Sequence, residues 1–211
     1  MNQAAVGFRV HSGWSAVVAV CLEKGKPIVL DRQRLHLVET FIYKLRQPYH
    51  TAERMPLADG REFISLIQTK ARDLAYQAIC TLQSRLRGRG YELSNSALLL
   101  ASGRPLPELP KILASHALIH TADGELFREA IIHASERSRL RLTRIKEAEL
   151  LEQAAKALRI TKPRLLKQVK ELGRPFGAPW SQDEKFAALA AWLVSVSAKK
   201  SSRKPAASAF A

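Results

Sequence analysis

The chain reads as an α/β protein whose mixed sheet starts with an antiparallel hairpin and is flanked by helices. Three observations predict this. Residues 5–21 are almost continuously apolar and rich in β-branched side chains, the pattern of a strand buried on both faces. Glu23-Lys24-Gly25-Lys26 then turns the chain into a second strand, residues 27–39, in which Arg34, Leu35, His36 and Leu37 alternate. Beyond residue 60, helical periodicity alternates with short strands, the order expected of a sheet covered by helices.

Each element has its own signal. Within residues 5–21, His11-Ser12-Gly13-Trp14 is the polar interruption, and Ser12-Gly13 reads as a bend or bulge. Pro48, Pro56 and Gly60 make 40–60 loop-like, with a short third strand near 40–45. Phe63, Ile64, Ile67, Ala71, Leu74, Ala78 and Leu82 recur at helical spacing over 61–86, and Gly88 and Gly90 stop that helix. Ala97-Leu98-Leu99-Leu100 is a buried strand. Pro105, Pro107 and Pro110 stiffen the connector after it. A short helix over 111–120 follows, then a second, N-capped by Thr121, to about 138. Residues 141–145 form a strand. Helices follow over 147–158, 162–172 and 182–196, the last capped by Ser181 and with Trp180 and Trp192 as core anchors.

Composition narrows the partner. The 34 Lys and Arg outnumber 19 Asp and Glu, a net charge of +15, so the chain seeks polyanions, nucleic acid first. The excess concentrates in 61–90, in 151–175 and in the last residues. Arg85, Arg87 and Arg89 crowd one helix end, either as phosphate ligands or as plain C-terminal charge. Residues 154–172 resemble a helix-turn-helix, in which Lys162, Arg164, Lys167 and Lys170 are available for phosphates. Arg159 stands where such turns often have glycine. Cys21 and Cys80 have no metal spacing and read as small buried hydrophobes in a reducing compartment. The start of the chain has no signal-peptide pattern, and no window of 18 apolar residues is present, so a cytoplasmic protein without membrane contact is expected.

Three stretches carry a resemblance. Gly124-Glu125-Leu126-Phe127-Arg128-Glu129-Ala130 with the helix it opens and the strand near 141–145, the basic helix 162–172, and the segment Asp183 to Ala191 are similar to parts of the RuvC-type Holliday-junction resolvases of the ribonuclease H-like superfamily. The resemblance implies that fold over most of the chain. It also implies about four carboxylates holding two divalent metals that activate water and stabilise the leaving oxygen. Here the matching positions depart. Arg9 follows Gly7-Phe8 where an aspartate is expected. The strand ending at Leu100 runs into Ala101-Ser102 instead of an acid. On the last helix Glu184 falls at one expected aspartate and Ala187 at the other, so that only Glu184, or its neighbour Asp183, remains. One acid in four does not build a two-metal site, and a cation at Arg9 repels a metal.

Other constellations are thinner. His116 and His120 share one face if their segment is helical, but a metal needs three or four converging ligands. Adjacent strand residues point to opposite faces, so His11 does not activate Ser12, and neither a nucleophile elbow nor a phosphate-cradling glycine loop is present. The expectation is one ribonuclease H-like domain, residues 1–197, with a disordered basic tail, 198–211. It binds nucleic acid through its basic helices and tail, without catalysis and without a cofactor. Two alternatives stand beside it: a nuclease with a displaced site built on Glu125, Glu129 and Asp183, and a protein-interaction module for an acidic partner.

Overall fold

A computed structural model of the chain describes residues 1–39, 41–101 and 105–201, with only the backbone of 199–201. Five strands form one mixed sheet in the order β3-β2-β1-β4-β5. They are β1 (Asn2–His11), β2 (Trp14–Glu23), β3 (Lys26–His36), β4 (Tyr91–Leu100) and β5 (Arg141–Lys146). The first three are antiparallel, whereas β4 and β5 run parallel to β1. The helices are α1 (Tyr43–Arg46), α2 (Pro48–Ala52), α3 (Leu57–Arg87), α4 (Leu109–Leu113), α5 (His116–Arg137), α6 (Leu150–Leu158), α7 (Lys162–Leu172) and α8 (Gln182–Ser201).

The sheet lies between two helical layers because β1 is apolar on both faces. Val6, Phe8 and Val10 bury themselves against α3 and α5. Ala5 faces the opposite core, which α6, α7 and α8 close. Side chains alternate along a strand, so Gly7, Arg9 and His11 share the face of Ala5. Gly7 lets α8 come close: a Cβ there would lie 1.9 Å from the Ala187 carbonyl oxygen. Any side chain at position 7 pushes α8 off the sheet.

Several elements depart from the sequence reading. Residues 5–21 are two strands, not one, because Ser12-Gly13 closes a hairpin with Gly13 at φ +84°. An apolar run that continues through both strands hides that turn. Residues 43–46 form a helical turn instead of a third strand, and Thr40 lies outside the described residues. α3 starts at Leu57 and packs Gly60 against Ala52 of α2. The helix expected over 111–120 is two helices: α4 starts at Leu109 with Pro110 in its first turn and ends at Leu113, and Ser115, in an extended conformation, precedes α5. Thr121 is consequently inside α5, where its hydroxyl bonds the Ala117 carbonyl at 3.0 Å instead of capping. α8 runs on to Ser201, so the backbone of residues 198–201 belongs to the helix. Residues 202–211 of the expected tail lie outside the described residues. Cys21 is buried and Cys80 half-buried, both as free thiols, and burial pushes the Cys21 thiol up to about 11.

Candidate functional site

In open α/β sheets, ligand sites form beyond the carboxyl ends of parallel strands. Here those ends belong to β1, β4 and β5. Sheet register sets out the residues in rows across the face covered by α8. Gly7, Val18 and Arg32 form one row, Arg9, Ala16 and Arg34 the next, and His11, Trp14 and His36 the last. Glu147 immediately follows β5, and Asp183 and Glu184 open α8.

Arg9 is the centre of this end of the sheet. Its Nε and Nη2 donate to the two Glu147 oxygens at 2.9 and 2.7 Å, a bidentate pair. Its Nη1 donates to Asp183. Glu147 stands two strands away, about 10 Å at strand spacing, and only a side chain as long as arginine bridges β4 to reach it. Phe186 packs under the guanidinium, 5.4 Å from centroid to Cζ.

His11 Nε2 lies 2.8 Å from the same Asp183 oxygen and stacks on Trp14 at 4.4 Å, over which Arg34 sits at 3.7 Å. Burial pushes the Asp183 carboxyl up, but the hydrogen bonds and charges of His11 and Arg9 outweigh it and hold the group below the usual carboxylate range. The Glu147 hydrogen bond raises the Arg9 value further against burial, so Arg9 stays charged.

Glu184 does not join this cluster. It accepts from the Ser181 backbone N–H at 2.6 Å while the Ser181 hydroxyl accepts from the Glu184 N–H, a capping box, and it pairs with Arg32 at 3.3 Å. Ser102 lies outside the described residues. Trp192 is buried as expected. Trp180 fills the space beside Gly173, and its indole N–H bonds the Val169 carbonyl.

The basic residues separate into two groups. Gly90 is hydrogen-bonded beside Asn2, so Arg85, Arg87 and Arg89 stand at the opposite end of β1 from Arg9. Each is engaged by the protein itself: Arg85 with Asp31, Arg87 with Glu92 and Arg89 with the Leu30 carbonyl. On α7, Leu165 and Val169 face the core while Lys162, Arg164, Lys167 and Lys170 are exposed. Lys162 pairs with Glu152; the other three have no carboxylate partner among the described residues. The turn before α7 places Arg159 at φ +55°, the left-handed conformation that glycine favours. Glu125 and Glu129 are on α5 and pair with Arg128 and Arg72, across the sheet from Asp183. The displaced three-acid site does not assemble.

Glu147 and Arg32 escaped the sequence reading, which weighed His11 only as a partner for Ser12. Glu147 had one available signal, its place directly after the last parallel strand.

No protein-family model and no curated protein matches the chain. Solved structures do. Thermus thermophilus RuvC in complex with a Holliday junction substrate superposes with a TM-score of 0.54 at 9% identity, covering 94% of this chain and 96% of that one. A second Thermus thermophilus RuvC structure gives 0.53 at 12% identity, with the same coverage. The yeast mitochondrial Holliday junction resolvase Ydc2 gives 0.46 at 14%, over 93% of this chain and 83% of that one.

The chain has the ribonuclease H-like fold of the RuvC type. A two-metal centre of the kind this fold implies does not fit the residues at the ends of β1 and β5. Glu147 and Asp183 are already neutralised by a fixed guanidinium, and a divalent ion placed between them meets that positive charge. Glu184 is turned away to its own helix end. Among the described residues, no helix is long and apolar enough to cross a membrane.

Proposed function

We propose that this ribonuclease H-like chain is a nucleic-acid-binding module that holds its ligand without cleaving it. One observation carries the reading. Arg9, clamped by Glu147 and Asp183, puts a cation supplied by the chain itself at the ends of the parallel strands. Glu147 gives both oxygens to the guanidinium and Asp183 gives its Oδ1, so a divalent ion bound to what remains would sit against a fixed positive charge.

Binding falls to the outer face of α7. Arg164, Lys167 and Lys170 project into water from a helix anchored by Leu165 and Val169, so their field reaches outward. The Arg85, Arg87 and Arg89 group is the second contact, weaker because its charge is partly spent on Asp31 and Glu92. Arg203 and Lys204 add further positive charge to the chain. The RuvC complex with a Holliday junction makes branched DNA the first ligand to test.

Fluorescence anisotropy at stepped salt concentrations, with labelled duplex DNA, a four-way junction and single-stranded RNA, tests the reading. Each phosphate contact contributes about 0.9 to the slope of log affinity against log salt on duplex DNA and about 0.7 on a single strand. The triple substitution Arg164→Glu, Lys167→Glu and Lys170→Glu is expected to flatten that slope by about 3. Absence of binding to all three ligands at low ionic strength defeats the proposal. An acidic protein partner retained after nuclease treatment would redirect the same basic face.

A further inference from the structure

A second cluster lies on the opposite side of the sheet from Arg9, between α2 and α5. His50 comes from α2, and His116 and His120 are one helical turn apart on α5. Their rings meet edge to face at centroid distances of 5.4 Å for His50–His116, 4.4 Å for His50–His120 and 4.5 Å for His116–His120. One nitrogen from each ring falls within 4.8 Å of the others, and the Nε2 atoms of His116 and His120 are 3.0 Å apart.

We propose that His50, His116 and His120 form a binding site for one divalent transition-metal ion of the zinc class, with Asp123 as the residue that positions His50. Asp123 is the second observation. It is buried, one helical turn beyond His120 on α5, and its Oδ1 accepts the Tyr49 backbone N–H at 2.8 Å. Its Oδ2 lies 2.5 Å from His50 Nδ1. An ionised carboxylate only accepts, so Nδ1 carries the proton and Nε2 keeps its lone pair for a ligand. A buried acid that orients an imidazole through the nitrogen away from the metal is the recurring outer shell of histidine metal sites.

The geometry closes with small movements. Metal–nitrogen bonds of about 2.0–2.1 Å in a tetrahedral site place ligand nitrogens about 3.3 Å apart. His116 and His120 are exposed and free to rotate toward that spacing, whereas His50 is held by Asp123. Three imidazoles with no carboxylate ligand select zinc, cobalt, nickel or copper over magnesium or calcium. Three protein ligands leave a fourth position open on the solvent side, where water or an anion completes the shell. A hydrogen-bonded surface pair of histidines accounts for His116 and His120 alone; it does not account for His50, held beside them by a buried acid.

The test uses the full chain stripped of metal by a chelator. Zinc is titrated by calorimetry, and cobalt by visible absorption, which reports coordination number. One zinc per chain is expected, with the strong d–d absorption of four- or five-coordinate cobalt and no thiolate band. His116→Ala and His120→Ala, at exposed positions, are expected to leave the melting temperature of the metal-free chain unchanged and to abolish stoichiometric binding. Asp123→Asn is expected to weaken zinc by about 10–100-fold. Absence of stoichiometric zinc binding, binding that survives the double histidine substitution, or a thiolate band from Cys80 overturns the proposal.

Discussion

At the ends of β1 and β5 one arginine is held by two carboxylates. Along α7, Arg164, Lys167 and Lys170 face water with no carboxylate partner among the described residues. Net charge counts these cations alike; the fold separates what each can do. A charge whose field is cancelled at home within a few ångströms stabilises the chain and has little left for a ligand. An unpaired one on an exposed helix contributes little to folding and much to attraction of a polyanion. The Arg85, Arg87 and Arg89 group falls between these limits.

Substitutions can break this comparison in either region. The largest effect is expected on binding: glutamates at positions 164, 167 and 170 together should weaken nucleic-acid affinity by about 100-fold or more at moderate salt. The same triple variant should shift the urea unfolding free energy by less than about 0.5 kcal/mol per site, since these positions are exposed. A large loss of stability with unchanged affinity would reverse the roles assigned to the two regions.

Next comes Arg9→Ala, which leaves Asp183 with His11 and removes the one ion-pair partner that Glu147 has among the described residues. Removing one member of a fully buried pair costs about 3–5 kcal/mol, and partial exposure of this cluster reduces the expected loss to about 2 kcal/mol. Urea unfolding measures it, and nucleic-acid affinity should stay within about twofold, a change too small to mark a lost phosphate contact.

The smallest effect is a pH dependence. The Asp183 carboxyl titrates below its unfolded value of about 3.9, so its stabilisation is complete above that pH. It is lost as the pH falls through the folded value. Asp183→Asn should flatten the stability curve on the acid side of the unfolded value, below about pH 4, and leave its shape near neutrality unchanged. An equally steep acid limb in the variant would assign that limb to other groups.

Much of the fold was legible because it rests on local periodicity. The strands near 97–100 and 141–145 and the helix over 162–172 each carry their own pattern. The hairpin at Ser12-Gly13 was obscured because β1 and β2 are both buried on two faces, so no change of period marks the turn. Arg9 stood out as a cation in place of an acid, and Asp183 as a neighbour of the expected carboxylate. Glu147 did not, because 138 residues separate it from Arg9 and only the register of β1, β4 and β5 brings them together. His50 was hidden in the same way, in a stretch with no periodicity to show that α2 packs beside His116 and His120.

The proposal gives the clamped Arg9 the place that metal chemistry would otherwise take at the ends of the parallel strands. Incubating the chain with a labelled four-way junction in magnesium or manganese, and resolving the strands on a denaturing gel, tests it most directly. The prediction is a bound but intact junction, for the unaltered chain and for Glu147→Gln and Asp183→Asn alike. Strand cleavage by the unaltered chain that either substitution abolishes would contradict it.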